Sequence, residues 1–276
     1  MGTHIGSGSP NRNIKTFDLL DQIVTILGTT KTHFFPLLTG IDDTRDDYEL
    51  ESYGEGVVVE QVLGSGDATE PFYPVQHVGG IHSVSFDAAE NQYLLGADAA
   101  SWSYGNGTTT DAPFSIGMFI LPKDITSVDL LAKWDIEGAS EDREYKLGID
   151  GSNKLRLDLY DENANAAEIA TGGTAIVLNK WQFVVATYDG VQGTSANAGI
   201  SLYIDATAET ETLTDSGTYV AMQAGGENPT IAASLNTNAI AAGFTGRIAL
   251  PFMCGTELSA ANVTTIHNLG KTLLGL

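Results

Sequence analysis

The feature that most limits what this chain can become is a series of short alternating segments between Phe114 and Ile204. In "LRLDLYDEN", Leu155, Leu157 and Leu159 fall on one side and Arg156, Asp158 and Tyr160 on the other, the period of two that a strand with one buried face requires. "FSIGMFIL" alternates Phe114, Ile116, Met118 and Ile120; "YKLGID" does so with Tyr145, Leu147 and Ile149, and "ISLYIDA" with Ile200, Leu202 and Ile204. "KWQFVVATYDG" sets Trp181, Phe183, Val185 and Thr187 against Gln182, Val184, Ala186 and Tyr188 and ends on an Asp-Gly turn signal. Short strands of this kind, separated by Gly, Asn and Asp clusters, build an antiparallel sandwich or barrel. The Trp181 side is the expected core face, and the half-polar Gln182 side the expected outer face.

The chain begins differently. Residues 1–13, rich in Gly, Ser and Asn, read as a flexible arm. "TFDLLDQIVTILG" then places Phe17, Leu20, Val24 and Leu27 at helical spacing, with Thr16 as N-cap and Gly28 as stop. Leu19, Ile23 and Ile26 widen that stripe beyond one helix face, so either the helix is buried on two sides or "IVTIL" is a strand; the helix is the preferred reading. Residues 1–31 are therefore expected to form an attachment or oligomerisation segment, and residues 32–276 the sandwich. The acidic stretch "GIDDTRDDYELESYGEG" reads as a solvated surface loop.

Charge narrows the partners. Thirteen Lys and Arg stand against 35 Asp and Glu, for a formal charge of −22. That field repels nucleic acid and anionic membranes, which excludes both as main partners. The one cysteine, Cys254 in "PFMCG", leaves no intrachain disulfide and reads as a small buried apolar residue. No apolar run has the length of a membrane span, and the start carries no secretory signal pattern. The expectation is synthesis in a cytoplasm without general export.

Several segments, in this order, resemble the laminin-G-like members of the concanavalin A-type lectin/glucanase superfamily. "VSFDAAENQYLLG" is similar to the family's Phe-Asp-Gly-x-x-x-Tyr-Val opening through Phe86, Asp87 and Tyr93, with Ala88 in place of the glycine. "FSIGMFILPKD" and "LLAKWDIEGASEDREYKLGID" resemble its paired strands, and the Trp181 segment its Trp-x-x-Val-Ala-x-Thr-Tyr-Asp-Gly strand. "SLYIDA" follows as its Leu-Tyr-Val-Asp-Gly hairpin, and "FTGRIALPFMCGTELSAANVTTIHNLG" as the closing strand and short helix. The resemblance covers roughly residues 32–270. It implies an all-β, antiparallel jelly-roll β-sandwich with a short N-terminal helix.

The same resemblance frames the candidate sites. The family's closing strand commonly reads Gly-x-Ile-Asp-Glu-Val, whose acids help hold a structural calcium; here Gly246 to Pro251 lacks both. Asp87 is left as the best single calcium ligand, short of the six or more oxygens that ion needs. Glucanases on this fold use two glutamates on one strand face with an aspartate between them. The nearest segment, "WDIEGASEDRE", carries Asp135 and Glu137 on one face before Gly138 ends the alternation, and Glu141, Asp142 and Glu144 read as a turn. An enzyme is therefore not expected. His77 and His82, without a third ligand, read as surface histidines rather than a zinc site. Trp181 reads as structural and Trp134 as packing at a strand end. Trp102 and Tyr104, in the turn-rich "SWSYGNG", are the candidate exposed rings for stacking on sugars.

"KWDIEGASEDREYKLGID" also resembles jelly-roll domains of tailed-phage structural proteins. The function this implies is a non-enzymatic virion surface protein, a capsid decoration or a tail- or fibre-associated protein made in the host cytoplasm. Its expected partners are capsid or other virion proteins, glycans, and further copies of itself. The alternative is a carbohydrate-binding module or a glycoside hydrolase fragment; a third reading is a structural oligomer without a ligand.

Overall fold

The computed structural model describes residues 10–36, 49–51, 58–62, 75–106, 108–136 and 142–276. Two sheets, of eight and eleven strands, carry the alternating segments. In the smaller sheet Ile200–Ile204, Gln182–Tyr188, Phe114–Pro122, Gly246–Cys254 and His82–Phe86 lie side by side. In the larger, Thr212–Ser216, Ala166–Ala175, Lys154–Asp161, Asp142–Ile149, Val128–Asp135, Pro229–Ile231 and Tyr93–Gly96 do the same. These neighbours pair antiparallel. The main core is filled from both: Ile116, Met118, Ile120 and Leu202 from one sheet meet Leu147, Leu155, Leu157 and Leu159 from the other. This is the expected jelly-roll sandwich, with the leucines of "LRLDLYDEN" inward.

A third layer corrects the reading of the Trp181 segment. Val184, Ala186 and Tyr188, from the half-polar side, line the core between the sheets. Phe183 and Val185 belong instead to a second apolar cluster on the opposite face of the smaller sheet, with half-buried Trp181 packed against it. The two faces are thus reversed from expectation, and every residue of Gln182–Tyr188 is buried. Two of the three polar side chains of that strand find partners: Gln182 Oε1 accepts from Val177 N at 2.6 Å and Tyr188 donates to Asp111 at 2.9 Å, whereas the buried Thr187 hydroxyl has none among the described residues.

Two helices make the cover. Helix α1 runs Pro10–Leu27 and α2 runs Ala260–Leu274. Proline suits a helix start because its missing N–H is one that no helical carbonyl would receive there. Residues 10–13, expected in the flexible arm, are therefore helical. Thr16 lies inside the helix rather than at its N-cap, and its Oγ1 donates to the Gly79 carbonyl. Gly28 ends α1 with its N–H on Val24 O at 2.9 Å. Leu20, Ile23 and Leu27 are fully buried in the second cluster with Val263, Ile266 and Leu273 of α2, while Phe17 is 45% exposed. α2 comes close to the sheet at Gly270, where an added Cβ would stand 2.2 Å from the Phe119 ring. Cys254 is buried, as expected, and burial pushes its thiol up to about 12. Among the described residues no helix is long and apolar enough to cross a membrane.

Candidate functional site

The outer face of the larger sheet is not covered by the helices, and its chemistry follows from strand alternation. With Leu155, Leu157 and Leu159 turned to the core, Arg156, Asp158 and Tyr160 take the other side. Tyr160 meets Trp134 edge-on, with ring centroids 5.2 Å apart, in a small cluster with Ala132 and Ala167. Arg143 lies over the Tyr160 ring at 3.9 Å and makes two hydrogen bonds to Glu162, of 2.8 and 2.7 Å. Lys146 stands 4.8 Å above the Trp134 ring. Trp134 is thus at a strand end, as expected, but packs on the outer face.

Beside these rings a pocket of about 150 Å³ opens, lined by Ser127, Asp129, Lys146, Gly148, Arg156 and Asp158 among others. Its floor is set by register. Gly148 lies opposite Asp129 on one neighbouring strand and opposite Arg156 on the other. A Cβ at position 148 would meet Asp129 Oδ1 at 2.4 Å, so only glycine lets that carboxylate rest on the strand. Lys146, opposite Asp158, bonds Asp129 at 3.2 Å. Arg156 grips both oxygens of Asp158, one of them at 2.6 Å. Burial pushes the Asp158 carboxyl up, and the Arg156 contact opposes it. For Arg156 burial works against the charge, yet pairing with Asp158 outweighs it and raises the pKa. Three acids, Asp129, Asp150 and Asp158, and two bases, Lys146 and Arg156, therefore present interleaved acceptors and donors in a pocket with a slight excess of negative charge, within a chain of charge −22.

The residues singled out in the sequence lie elsewhere. Trp102 and Tyr104, expected to be exposed, are 1% and 2% exposed. The short helical turn Ala100–Trp102 tucks the indole inward, stacked on His33 at 3.7 Å, and Tyr104 donates to Lys31 O at 3.0 Å. Neither ring has a face open to a sugar. Asp87 is exposed and caps the turn Ala88–Glu90 through a 3.0 Å bond from Ala89 N. Among the described residues no three His, Cys, Asp or Glu side chains gather to hold a metal ion. His77, paired with Ser83 Oγ at 2.9 Å, is edge-on to Trp181, and His82 opens the strand His82–Phe86.

The acidic segment differs from expectation too. Glu137 and Glu141 lie outside the described residues, but Asp142 and Glu144 are in the strand Asp142–Ile149, not in a turn. Asp135 is fully buried and accepts from Asn238 N at 2.8 Å. Glu144, 1% exposed, is the extra residue of a bulge between the pairs Lys133–Tyr145 and Trp134–Arg143. That bulge turns Glu144 inward against Lys133.

Two packed antiparallel sheets, one of them with an outer face that no helix covers among the described residues, define a lectin-type jelly roll. The chain belongs to the concanavalin A-like lectin/glucanases superfamily, whose laminin-G-like sequence pattern matches residues 92–264. No curated protein sequence matches it. Among solved structures it is similar to the botulinum neurotoxin serotype G binding domain, with a TM-score of 0.55 and 15% identity over 88% of this chain and 52% of that one. It is also similar to the binding domain of Paraclostridial mosquitocidal protein 1, with a TM-score of 0.53 and 11% identity over 85% and 52% of the two chains. The botulinum neurotoxin serotype D/C binding domain gives 0.53 and 13% over 87% and 51%. The chain thus spans about half the length of these structures, and the likeness is one of fold.

Proposed function

We propose that this chain is a non-catalytic glycan-binding domain and that its ligand enters the Gly148 pocket. The observation that carries the reading is the pairing of Asp129 with Lys146 and of Asp158 with Arg156 around that glycine. Sugar hydroxyls both donate and accept, so a pocket of interleaved carboxylates and cations suits them, and its slight excess of carboxylates favours an uncharged saccharide over an anionic one. The buried Trp134 ring beneath Lys146 helps to hold that ammonium in place at the pocket. The binding domains that share the fold support a binding role over a catalytic one. The finer setting, adhesion from a virion surface, rests on the resemblance of the Lys133–Asp150 segment to tailed-phage structural proteins. Immunogold labelling of intact particles tests that setting separately.

The test of binding is a glycan array with the full chain, followed by calorimetry on any saccharide retained. Lys146→Gln and Asp129→Asn are each expected to weaken binding about tenfold, the worth of one charge-assisted hydrogen bond. An array without any retained saccharide, or variants that bind as wild type, overturns the reading.

A further inference from the structure

Behind the outer face, the bulge at Glu144 creates a second constellation that glycan binding does not use. Lys133 is fully buried, yet its Nζ has four oxygens around it. Glu144 Oε1 is in direct contact, Gly225 O is at 2.6 Å, Ser103 Oγ at 2.9 Å and Asp98 Oδ1 at 3.1 Å. An ammonium group has three hydrogens, so one of these four approaches cannot be a full hydrogen bond. Ser103 Oγ and Gly225 N also donate to Glu144 Oε1, both at 2.9 Å. The other Glu144 oxygen, Oε2, is buried with no hydrogen-bond partner among the described residues. A lysine, a glutamate with one idle oxygen and an aspartate carboxyl are thus held together beside Trp102 and Tyr145.

We propose that Lys133 and Asp98 join through an intramolecular amide bond, with Glu144 as the proton carrier. Glu144 takes a proton from the Lys133 ammonium, leaving a neutral amine. The amine lone pair attacks Asp98 Cγ, forming the C–N bond, as Glu144 returns its proton to an Asp98 oxygen. A second proton passes from nitrogen to the same oxygen by way of Glu144, the C–O bond breaks, and water leaves. The third hydrogen stays as the amide N–H, and Glu144 ends as the carboxylate it began as. Atoms and charge balance without any oxidant or activating group.

Each participant suits its part. Burial raises the Glu144 carboxyl to about 7, with the Lys133 contact opposing, so it can hold and release a proton near neutrality. Asp98 is fixed by the 2.9 Å bond from its N–H to Asn228 Oδ1. Its side chain is 38% exposed, which gives the departing water a way out, whereas Lys133 is shielded. Proximity lowers the barrier to an otherwise slow condensation.

The test is the intact mass of the purified full chain under denaturing conditions, with peptide sequencing by tandem mass spectrometry. A mass lower by one water and a branched peptide joining Lys133 to Asp98 are expected. Asp98→Ala should restore the full mass. Asp98→Asn, which condenses with loss of ammonia, should converge on the mass of the cross-linked wild type. Glu144→Gln should leave the bond unformed while Lys133 and Asp98 remain. Wild-type protein that melts cooperatively at its full mass, or a branch at any other pair, overturns the proposal. Full cross-linking in Glu144→Gln overturns the role given to Glu144.

Discussion

Ile23→Ala asks directly whether α1 belongs to the folded domain or hangs from it. The side chain is fully buried with Leu20, Leu27, Phe34 and Phe183. Truncating a buried isoleucine to alanine costs about 2–5 kcal/mol, depending on how far the site can close. α1 is an outer layer and can shift inward, which favours the lower part of that range, about 3 kcal/mol. For a chain of this length that moves Tm by about 6 °C. Phe17→Ala, at a 45% exposed position on the same helix, serves as the control and should shift Tm by no more than about 1 °C. The assay is a thermal melt followed by circular dichroism at one protein concentration, with dye binding to report exposed apolar surface. A chain starting at Thr32 uncovers Phe183 and Val185, and should melt lower and bind the dye. If Ile23→Ala melts with wild type and the shortened chain keeps the wild-type Tm, the reasoning fails. Residues 1–31 would then be a separable attachment segment.

Other expectations follow from single residues. Burial holds the His33 imidazole down to about 4 against an ordinary 6.5. A folded-state value below the unfolded one means stability that is whole above about pH 6.5 and falls as pH drops, by about 3 kcal/mol at pH 4. Urea melts at pH 7 and pH 4 should show this loss in wild type and a smaller one in His33→Phe; equal losses would clear His33. Asp111 accepts from Tyr188 OH at 2.9 Å, Tyr219 OH at 2.7 Å and Met222 N at 2.8 Å. Asp111→Ala strands all three donors and should cost about 3 kcal/mol in a denaturant melt; a cost below about 1 would show that water replaces the carboxylate. Chelator is expected to leave Tm unchanged, and Asp87→Ala to cost about 1 kcal/mol as a lost cap. A fall on adding EDTA that calcium alone reverses would assign a metal to this chain.

How much of this was legible depends on the span over which each signal acts. The alternation of Leu155, Leu157 and Leu159 with Arg156, Asp158 and Tyr160 is local, so strands and their inward leucines could be read directly. The stripe of α1 was equally plain. Which layer covers a strand apolar on both sides is not local. Nothing in "KWQFVVATYDG" says that helices close over Phe183 and Val185. Parity fails at the bulge: Arg143 and Tyr145 are two apart, yet one lies over the outer rings and the other in the core. The extra residue, Glu144, is what the sequence reading placed in a turn. Trp102 and Tyr104 were misplaced because a single helical turn decides which way an aromatic in a Gly- and Ser-rich segment points. The pocket needed register: Asp129, Gly148 and Arg156 become neighbours only once three strands are aligned.

The layered order of this molecule gives it a front and a back. The helices lie on the far side of the smaller sheet and the Gly148 pocket on the far side of the larger, so the full thickness of the sandwich separates them. Whatever holds the domain by its helical back leaves the front turned outward, and nothing on that back competes sterically with a ligand. Copies arrayed on a shared support through their helices would therefore offer many pockets in one direction. A ligand too weak for one copy alone would then be retained by several acting at once.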